Sequence, residues 1–271
     1  IHLIYHLFYY MKELALFVFL GALFNYSFAQ NPSLVADVNT TTDQEIDFRG
    51  DFIYFNDAVY FNGEDNNGLY LWKTDGTTDH TLKVAKPGLF ISGYGAHPFP
   101  GIINDGLLYY RSAVNSDDED QNKLFVTNGT QSGTYKVTDK VLNPYEFIVM
   151  DDIVYFEGTD PDSVHYDLWR SDGTDSGTSK VFDYTQDSYH YFGISGATVA
   201  GGKLFFALAD WLYVTDGTEA GTAFVLETGE PGGGATPITK MVSYQDKAWF
   251  FTAGTDEYGL WYSDGTASGT Q

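Results

Sequence analysis

Aspartate and threonine oxygens recur beside glycines in this sequence, where they could bind a cation or a ligand hydroxyl. The phrase that carries them occurs five times: LYLWKTDGTTDHT at 69–81, KLFVTNGTQSGT at 123–134, DLWRSDGTDSGT at 167–178, WLYVTDGTEAGT at 211–222 and GLWYSDGTASGT at 259–270. Five copies in one chain indicate a repeat protein, so the repeat has to be interpreted before any site is assigned.

Each position of the phrase also fits the chemistry of a tight turn. The Asp accepts a hydrogen bond from the backbone N–H two residues on, the first Gly takes positive φ, and the second Gly lets the chain leave the loop without strain. Asn128 replaces the Asp in copy two, which keeps the turn but removes the charge that a metal would need. His80 replaces the second Gly in copy one and predicts a strained or differently shaped turn. We therefore interpret the five phrases as turns, with five ligand loops as the alternative.

Acidic residues cluster between the repeated phrases, and the densest cluster is the run DDEDQN at 117–122. Carboxylates are the ligands that Ca²⁺ prefers, but this run lacks the Gly and the distal Glu of a calcium loop. A solubilising acidic rim is the favoured interpretation. A weak calcium site is the alternative, formed by Asp117, Asp118 and Asp120.

The sequence contains no recognisable catalytic constellation and predicts no cofactor. No two histidines after residue 30 have the helical spacing of metal ligands, and both the nucleophile elbow and the phosphate-binding loop are missing. A sugar-cleaving propeller needs paired carboxylates on its inner strands. Three acidic residues lie just before two of the apolar runs that would form these strands, and we interpret them as solvated edge residues: Glu45, Asp47 and Glu146.

Composition excludes several classes of partner. The 271 residues include 14 Lys and Arg against 37 Asp and Glu, a net charge of −23. Nucleic acid and anionic lipid bind clustered basic residues, so neither is an expected partner. The charge fits a soluble exported protein, or one that attracts cations or basic partners. Because the chain has no cysteine, disulfides, thiolate metal sites and Cys nucleophiles are excluded.

The amino-terminal residues have the pattern of a targeting segment. A single positive charge precedes the apolar run at 14–24, which is too short to span a bilayer comfortably, and 27–29 places small residues at a cleavage site. We predict a signal peptide at 11–29 and a mature chain from Gln30 without a membrane span. A membrane anchor or a buried helix is the alternative. Residues 1–10 are interpreted as translated upstream sequence.

The repeat predicts the fold. The first glycines of the five phrases, at 76, 129, 173, 217 and 265, are separated by 53, 44, 44 and 48 residues, a spacing typical of propeller blades. Every unit contains an apolar run, a turn of Asn, Asp, Gly or Gln, an aromatic-rich run, a polar loop, a third run and the repeated phrase. Such runs predict short antiparallel strands. The sequence thus predicts an all-β fold, a β-propeller of four-stranded blades over 30–271, with five repeat units and the fifth cut off after its third strand.

The chain resembles the bacterial secreted repeat proteins known by the phrase ELWxxDGTxxGT. The matching stretches are 71–77, 168–174 and 260–266, while copies two and four depart at the Trp position with Phe125 and Tyr213. The resemblance covers about 31–271. It implies export and a propeller-like fold, often with a carboxy-terminal sorting domain for delivery to the cell surface. It brings no established enzymatic residues.

Two further expectations follow from the order of the strands. The segment PSLVAD at 32–37 aligns with TSKVFD at 178–183, which predicts a strand at Leu34–Val38 that completes the last blade. Strand alternation also brings the acidic loops between second and third strands to the same end as the connections between units. These connections carry Tyr94, His97, Tyr145, Tyr189, His190 and Tyr191.

The predicted function is a non-catalytic exported module for binding, adhesion or cell-surface display. Its partner would be an extracellular ligand, a glycan or a protein. A polysaccharide-acting hydrolase or lyase on the same scaffold is the alternative, because a fold alone does not choose between functions.

Overall fold

The computed structural model describes residues 52–65, 68–84, 101–112, 122–163, 165–183, 193–229, 237–253 and 258–271. The chain divides into two units, Ile1–Val35 and Ala36–Gln271, and every described residue belongs to the second. The predictions for the signal peptide, the strand at Leu34–Val38 and the calcium candidates Asp117, Asp118 and Asp120 therefore concern residues outside the described ranges.

The described residues form nineteen β-strands, which group into five sheets here called blades I to V. Blade I contains β1 (Ile53–Phe55), β2 (Ala58–Asp65), β3 (Gly68–Thr74) and β4 (Leu82–Lys83); blade II contains β5 (Gly101–Asn104), β6 (Leu107–Ser112), β7 (Lys123–Thr127) and β8 (Thr134–Lys136); blade III contains β9 (Leu142–Met150), β10 (Ile153–Thr159), β11 (Tyr166–Ser171) and β12 (Ser179–Phe182); blade IV contains β13 (Ile194–Ala200), β14 (Lys203–Leu208), β15 (Trp211–Thr215) and β16 (Ala223–Glu227); blade V contains β17 (Ile238–Tyr244), β18 (Lys247–Ala253) and β19 (Tyr258–Ser263).

Each blade is an antiparallel meander in which sequential strands pair as neighbours. Blades I to IV have four strands and blade V has three. Gln271 continues the pattern in blade V, because its N–H and C=O exchange hydrogen bonds of 3.0 and 2.9 Å with the backbone of Tyr262. The all-β prediction of a propeller of antiparallel blades is therefore confirmed.

The first two strands of each blade are joined by a two-residue turn in which both residues have positive φ. Asn56 and Asp57, for example, have φ of 48° and 57°, and the same left-handed conformation occurs at 105–106, 151–152, 201–202 and 245–246. Asn, Asp and Gly tolerate this conformation, and the resulting twist matches that of the flanking strands. The predicted hairpin turns are confirmed at all five positions.

The core lies between consecutive blades. Strand alternation gives each blade a forward face, which packs on the blade that follows it in the chain, and a back face, which packs on the blade before it. At the junction of blades III and IV, Tyr155 and Leu168 from the forward face of blade III pack with Leu204 and Phe206 of blade IV in one buried cluster. Similar clusters join blades I and II, II and III, and IV and V.

The repeated phrase is part of this packing. Its first glycine has φ near +90° in all five copies, as predicted. In copy four a side chain would also have no room, because a Cβ on Gly217 would collide with the hydroxyl of Tyr155 in the preceding blade. Gly129 and Gly173 are packed against tyrosine hydroxyls of their preceding blades in the same way. The first glycine is thus required by its own backbone in every copy and by the neighbouring blade in copies two, three and four, whereas a Cβ on Gly76 would meet no atom within 4 Å.

One expectation about the phrase is wrong, and a second is wrong in part. The second glycine does not serve to relieve backbone strain, since Gly221 and its equivalents lack positive φ; a Cβ on Gly221 would instead collide with the carboxylate of Asp216. The turn with His80 in this position was expected to be strained or differently shaped; it is not strained, but its contacts differ, because His80 Nδ1 lies 2.6 Å from Asp75 Oδ2. His80 lies outside the left-handed region, and Asp75 still accepts bonds of 3.0 and 2.7 Å from the backbone and hydroxyl of Thr77.

Candidate functional site

The propeller presents two different ends. The turn end carries the Asp-Gly-Thr turns together with the hairpin turns between first and second strands. The loop end carries the loops between second and third strands together with the connections from one blade to the next. Antiparallel alternation of the strands separates the two sets. Each candidate side chain can therefore be assigned to one end.

The Asp and Thr side chains of the turn end form hydrogen bonds within the turns themselves. In copy four, Asp216 Oδ1 accepts hydrogen bonds from the N–H and the hydroxyl of Thr218 at 2.9 and 2.7 Å, and Thr222 donates to the Thr218 carbonyl at 2.7 Å. The bond from the Thr218 hydroxyl holds the pKa of Asp216 below its ordinary value. Asn128 makes the same two bonds in copy two, at 3.0 and 2.7 Å, without any charge. The turn interpretation is confirmed, since each carboxylate has a structural task.

Side chains of one blade also hold the turns of the next. Lys73 donates to the carbonyl oxygen of Gly129 at 2.6 Å, and Arg170 donates to that of Gly217 at 3.2 Å. A shallow cavity of about 310 Å³ lies at this end of blade I, next to Lys73, Asp75 and His80. His80 Nδ1 lies 2.6 Å from Asp75 Oδ2, so the most polar groups of this cavity are already paired.

The loop end contains a buried carboxylate that the sequence analysis did not identify. Glu157 lies on β10 and is only 4% exposed. Its Oε2 accepts a hydrogen bond of 2.6 Å from the N–H of Ile194, at the start of blade IV, and a Cβ on Gly193 would collide with the same carboxylate. Burial raises the pKa of Glu157 to about 7; the bond from Ile194 opposes the rise, and the charge of Glu146 adds to it.

Glu146 lies within an inner strand rather than just before it, which corrects the prediction. It is exposed, has φ of +51°, and belongs to a β-bulge, because Ile148 pairs with Tyr155 whereas Tyr145 pairs with Glu157. The bulge extends β9 beyond the apolar run from which the strand was predicted. Glu146 is therefore a solvated carboxylate, as expected, but it lies in the same strand region as the buried Glu157. Glu45 and Asp47 are outside the described residues.

Arg111 occupies the position in blade II that Glu157 occupies in blade III. Arg111 pairs with Leu124 in the strand register as Glu157 pairs with Leu168. The guanidinium is 4% exposed and stacks on the ring of Tyr145 in the next blade, 3.9 Å from its centroid. Burial lowers the pKa of Arg111 to about 10, so the side chain stays charged at neutral pH. Among the described residues, Nη1 has no hydrogen-bond partner.

A third charged group at the loop end is internally paired. Lys180 on β12 lies 2.5 Å from Asp160 and 2.6 Å from the fully buried Asp167. Burial alone lowers the pKa of Lys180, but the bonds with Asp160 and Asp167 outweigh it and raise the pKa. Asp160 belongs to one of the acidic clusters between the repeated phrases, for which a solubilising rim was the favoured interpretation, and the structure instead places it in an ion pair. Asp162, in the same loop, is exposed.

The described residues contain no group of three His, Cys, Asp or Glu side chains that could hold a metal ion. They also contain no helix that is long and apolar enough to cross a membrane. Of the aromatic and histidine side chains predicted at this end, Tyr145 lies within the described ranges and contacts Arg111. The others lie outside these ranges, at Tyr94, His97, Tyr189, His190 and Tyr191.

Comparison with known proteins supports the fold alone. No protein-family model and no curated protein matches the chain. A mutant of puromycin hydrolase complexed with PGG is similar with a TM-score of 0.51 and 14% identity, over 83% of this chain and 38% of that one. A Mycobacterium tuberculosis puromycin-hydrolyzing peptidase gives 0.51 and 12%, over 85% and 38%. The chain thus spans less than two fifths of these proteins, and such low identity shows a shared architecture without a shared activity.

Proposed function

We propose that this chain is an exported, non-catalytic binding module whose ligand surface is the loop end of the propeller. The observation that carries the proposal is the contrast between the two ends. The turns between third and fourth strands of blades I to IV are all six or seven residues long. The loops between second and third strands contain two, ten, six, two and four residues in blades I to V. Variable loops on a rigid scaffold are the usual place for recognition.

The chemistry of the loop end supports the same proposal. Its described part includes a buried guanidinium at Arg111 with an unsatisfied N–H, stacked on Tyr145. Tyrosine and arginine are enriched at binding surfaces, because they combine apolar area with hydrogen bonding. The resemblance to secreted repeat proteins and the predicted signal peptide support export. The ligand class is an extracellular glycan or protein.

Shortening a single loop tests the proposal. The mature chain from Gln30 is applied to a glycan array and to an array of extracellular proteins, alongside a variant in which 113–121 is replaced by Asn-Gly. A turn-end variant, Glu219→Ala, is the matched control. We expect the loop variant to lose a ligand that the control retains. Binding that survives loop replacement but is lost in the control would contradict a loop-end ligand surface.

A polysaccharide-acting enzyme is the second candidate, and Glu157 is the observation that favours it. A carboxyl group with a pKa of about 7 is suited to act as a general acid, and Glu146 supplies a second carboxylate in the same strand region. Reducing-sugar release from a panel of polysaccharides tests this function. Activity that disappears in both Glu157→Gln and Glu146→Gln would support it, and an inactive parent protein would reject it.

A further inference from the structure

The outer strand of blade IV departs from the pattern of the three blades before it. In those blades the fourth strand carries a lysine directly opposite the aromatic residue of the third strand, in the pairs Trp72–Lys83, Phe125–Lys136 and Trp169–Lys180. The strand register gives Tyr213–Phe224 as the corresponding pair in blade IV. Blade IV therefore has an aromatic ring at the strand position where the other three blades have an ammonium group.

Two of the lysines show which interactions this position offers to a cation. In blade I the ammonium of Lys83 lies 3.5 Å from the ring centroid of Tyr70 and 5.6 Å from that of Trp72. In blade III the ammonium of Lys180 lies 5.7 Å from the ring centroid of Trp169 and also pairs with two carboxylates. The quadrupole of an aromatic ring attracts a cation placed over its face. The position thus combines aromatic rings with neighbouring negative charge.

Blade IV keeps the surroundings of such a cation but lacks the lysine. Trp211 corresponds to Tyr70, because each immediately precedes the leucine of its third strand. Glu227 is directly opposite Trp211, so the two side chains lie on the same face. Within the described ranges Glu227 is exposed and takes part in no ion pair. Trp211, Phe224 and Glu227 are here called the blade IV patch.

The aromatic part of the blade IV patch is accessible to a partner. Phe224 is 53% exposed and Trp211 is partly exposed. The ring of Phe224 stands nearly at right angles to the rings of Trp211 and Tyr213, with centroids 6.1 and 5.7 Å away. Blade IV packs through buried clusters on both blade III and blade V. The exposure of Phe224 is therefore not that of an uncovered terminal blade.

We propose that the blade IV patch binds a lysine or arginine side chain of a basic polypeptide partner. Phe224 and Trp211 supply the aromatic surface on which the cation stacks, and Glu227 supplies the opposite charge. The net charge of −23 attracts a basic partner and repels an acidic one. A patch of this size serves as an anchor within a larger contact. It consists of strand residues, so it can bind whether or not the variable loops form the ligand surface of the proposed function.

NMR of the mature chain labelled with fluorinated tryptophan tests the proposal at a single residue. The chain has five tryptophans, and a Trp211→Phe variant identifies the signal of Trp211. We expect trilysine to shift this signal saturably and to leave the signals of the other tryptophans nearly unchanged. Trilysine that is acetylated on its side chains should have no effect, because acetylation removes the charge. Added salt should weaken the binding of trilysine.

Substitutions in the blade IV patch should lower the affinity for trilysine. Phe224→Lys restores the lysine of the other blades and should weaken binding about fivefold or more, because it replaces the ring by an ammonium of its own. Glu227→Gln should weaken binding about two- to fivefold. Gln131→Lys is the matched control: it adds the same charge at an exposed turn of blade II, and salt screening should keep its effect below about twofold.

Thermal melts establish that the variants fold, and Glu227→Gln tests the patch even if Phe224→Lys does not fold. Equal losses of affinity in Phe224→Lys and Gln131→Lys would overturn the proposal, because trilysine would then respond only to the net charge. Equal shifts of the Trp211 signal by acetylated and unmodified trilysine would also overturn it, since the patch would then be an apolar surface. A neutral oligosaccharide that shifts this signal where trilysine does not would have the same consequence.

Discussion

Replacing Glu157 with glutamine should stabilise the protein at pH 8 relative to the parent and lose this advantage near pH 4. The folded-state pKa of Glu157 is raised from an ordinary value of 4.5 to about 7. The native state therefore holds this proton more tightly than the unfolded chain does. Its stabilising contribution is fully present below pH 4.5 and is lost as the pH rises from 4.5 to 7. Above pH 7 an ionised carboxylate remains buried between blades III and IV.

The magnitude follows from the shift. A rise of about 2.5 pKa units corresponds to about 3 kcal/mol at 1.36 kcal/mol per unit. Water entering the loop end would reduce this value, so we expect a change of about 1–3 kcal/mol. Glutamine has nearly the same shape, and its amide oxygen can still accept the bond from the N–H of Ile194. The substitution thus removes the charge while it keeps the contact between the blades.

Urea unfolding of parent and variant at pH 4, 6 and 8 measures the effect. The difference between the two free energies of unfolding should move by 1–3 kcal/mol in favour of Glu157→Gln across this range. Carboxylates that are present in both proteins contribute equally to the two free energies of unfolding, so their contributions cancel in the difference. Glu219→Gln is the control, because Glu219 is exposed at the turn end, and its replacement removes a carboxylate without touching the surroundings of Glu157. A flat difference for Glu157→Gln would show that Glu157 titrates as a solvated carboxylate, and the buried geometry would then be wrong.

Three further predictions concern the turns and the acidic loop. Gly217→Val should destabilise the protein by about 1–3 kcal/mol in thermal melts, since it forces a branched residue to positive φ against Tyr155, whereas Glu219→Ala should be nearly silent. Asp216→Asn should match the parent at pH 7 and resist acid better. The pKa of Asp216 is lowered in the folded state, so its carboxylate contributes stability at pH values above the ordinary pKa of 3.8, and this contribution is lost as the pH falls through the folded-state pKa. Acid titration followed by circular dichroism measures the difference. Calorimetry with Ca²⁺ should show at most weak binding, on the order of 10⁻⁴–10⁻³ M, and the heat should vanish on joint replacement of Asp117, Asp118 and Asp120.

The sequence predicted most of the fold because the interactions that define it are local. The hairpin turns need positive φ at two adjacent residues, which Asn56-Asp57 and its equivalents supply by residue type. The bond from the N–H of Thr218 to Asp216 spans two residues, so it could be expected from the phrase itself. The first strand of blade III, β9, was predicted from its apolar run alone and is longer in the structure. Its bulge could not be predicted, because it depends on how the bulged residues pair with Glu157 across the sheet.

The polar groups of the loop end were missed because their partners lie in another blade. Glu157 is bonded to a backbone N–H 37 residues away, and Arg111 stacks on a ring 34 residues on. A signal was present, since a carboxylate follows the apolar run IVYF at 153–156 in a strand expected to be buried. That signal indicates a buried charge, but it does not identify the partner. The role of the second glycine was missed for the same kind of reason, because it depends on where the Asp216 side chain lies in space.

One strand position shows how blades with the same strand order make different contacts with their neighbours. Register places Arg111, Glu157, Ala207 and Phe251 opposite the equivalent leucines of the third strands, at the loop-end side of each forward face. Arginine meets the ring of Tyr145, glutamate meets the N–H of Ile194, and alanine packs in the apolar junction of blades IV and V. A blade placed one position out of order would bury the guanidinium or the carboxylate without its partner, at a cost of several kcal/mol. The turn end adds contacts of its own, from Lys73 to Gly129 and from Arg170 to Gly217, so the polar contacts between neighbouring blades differ from junction to junction at both ends.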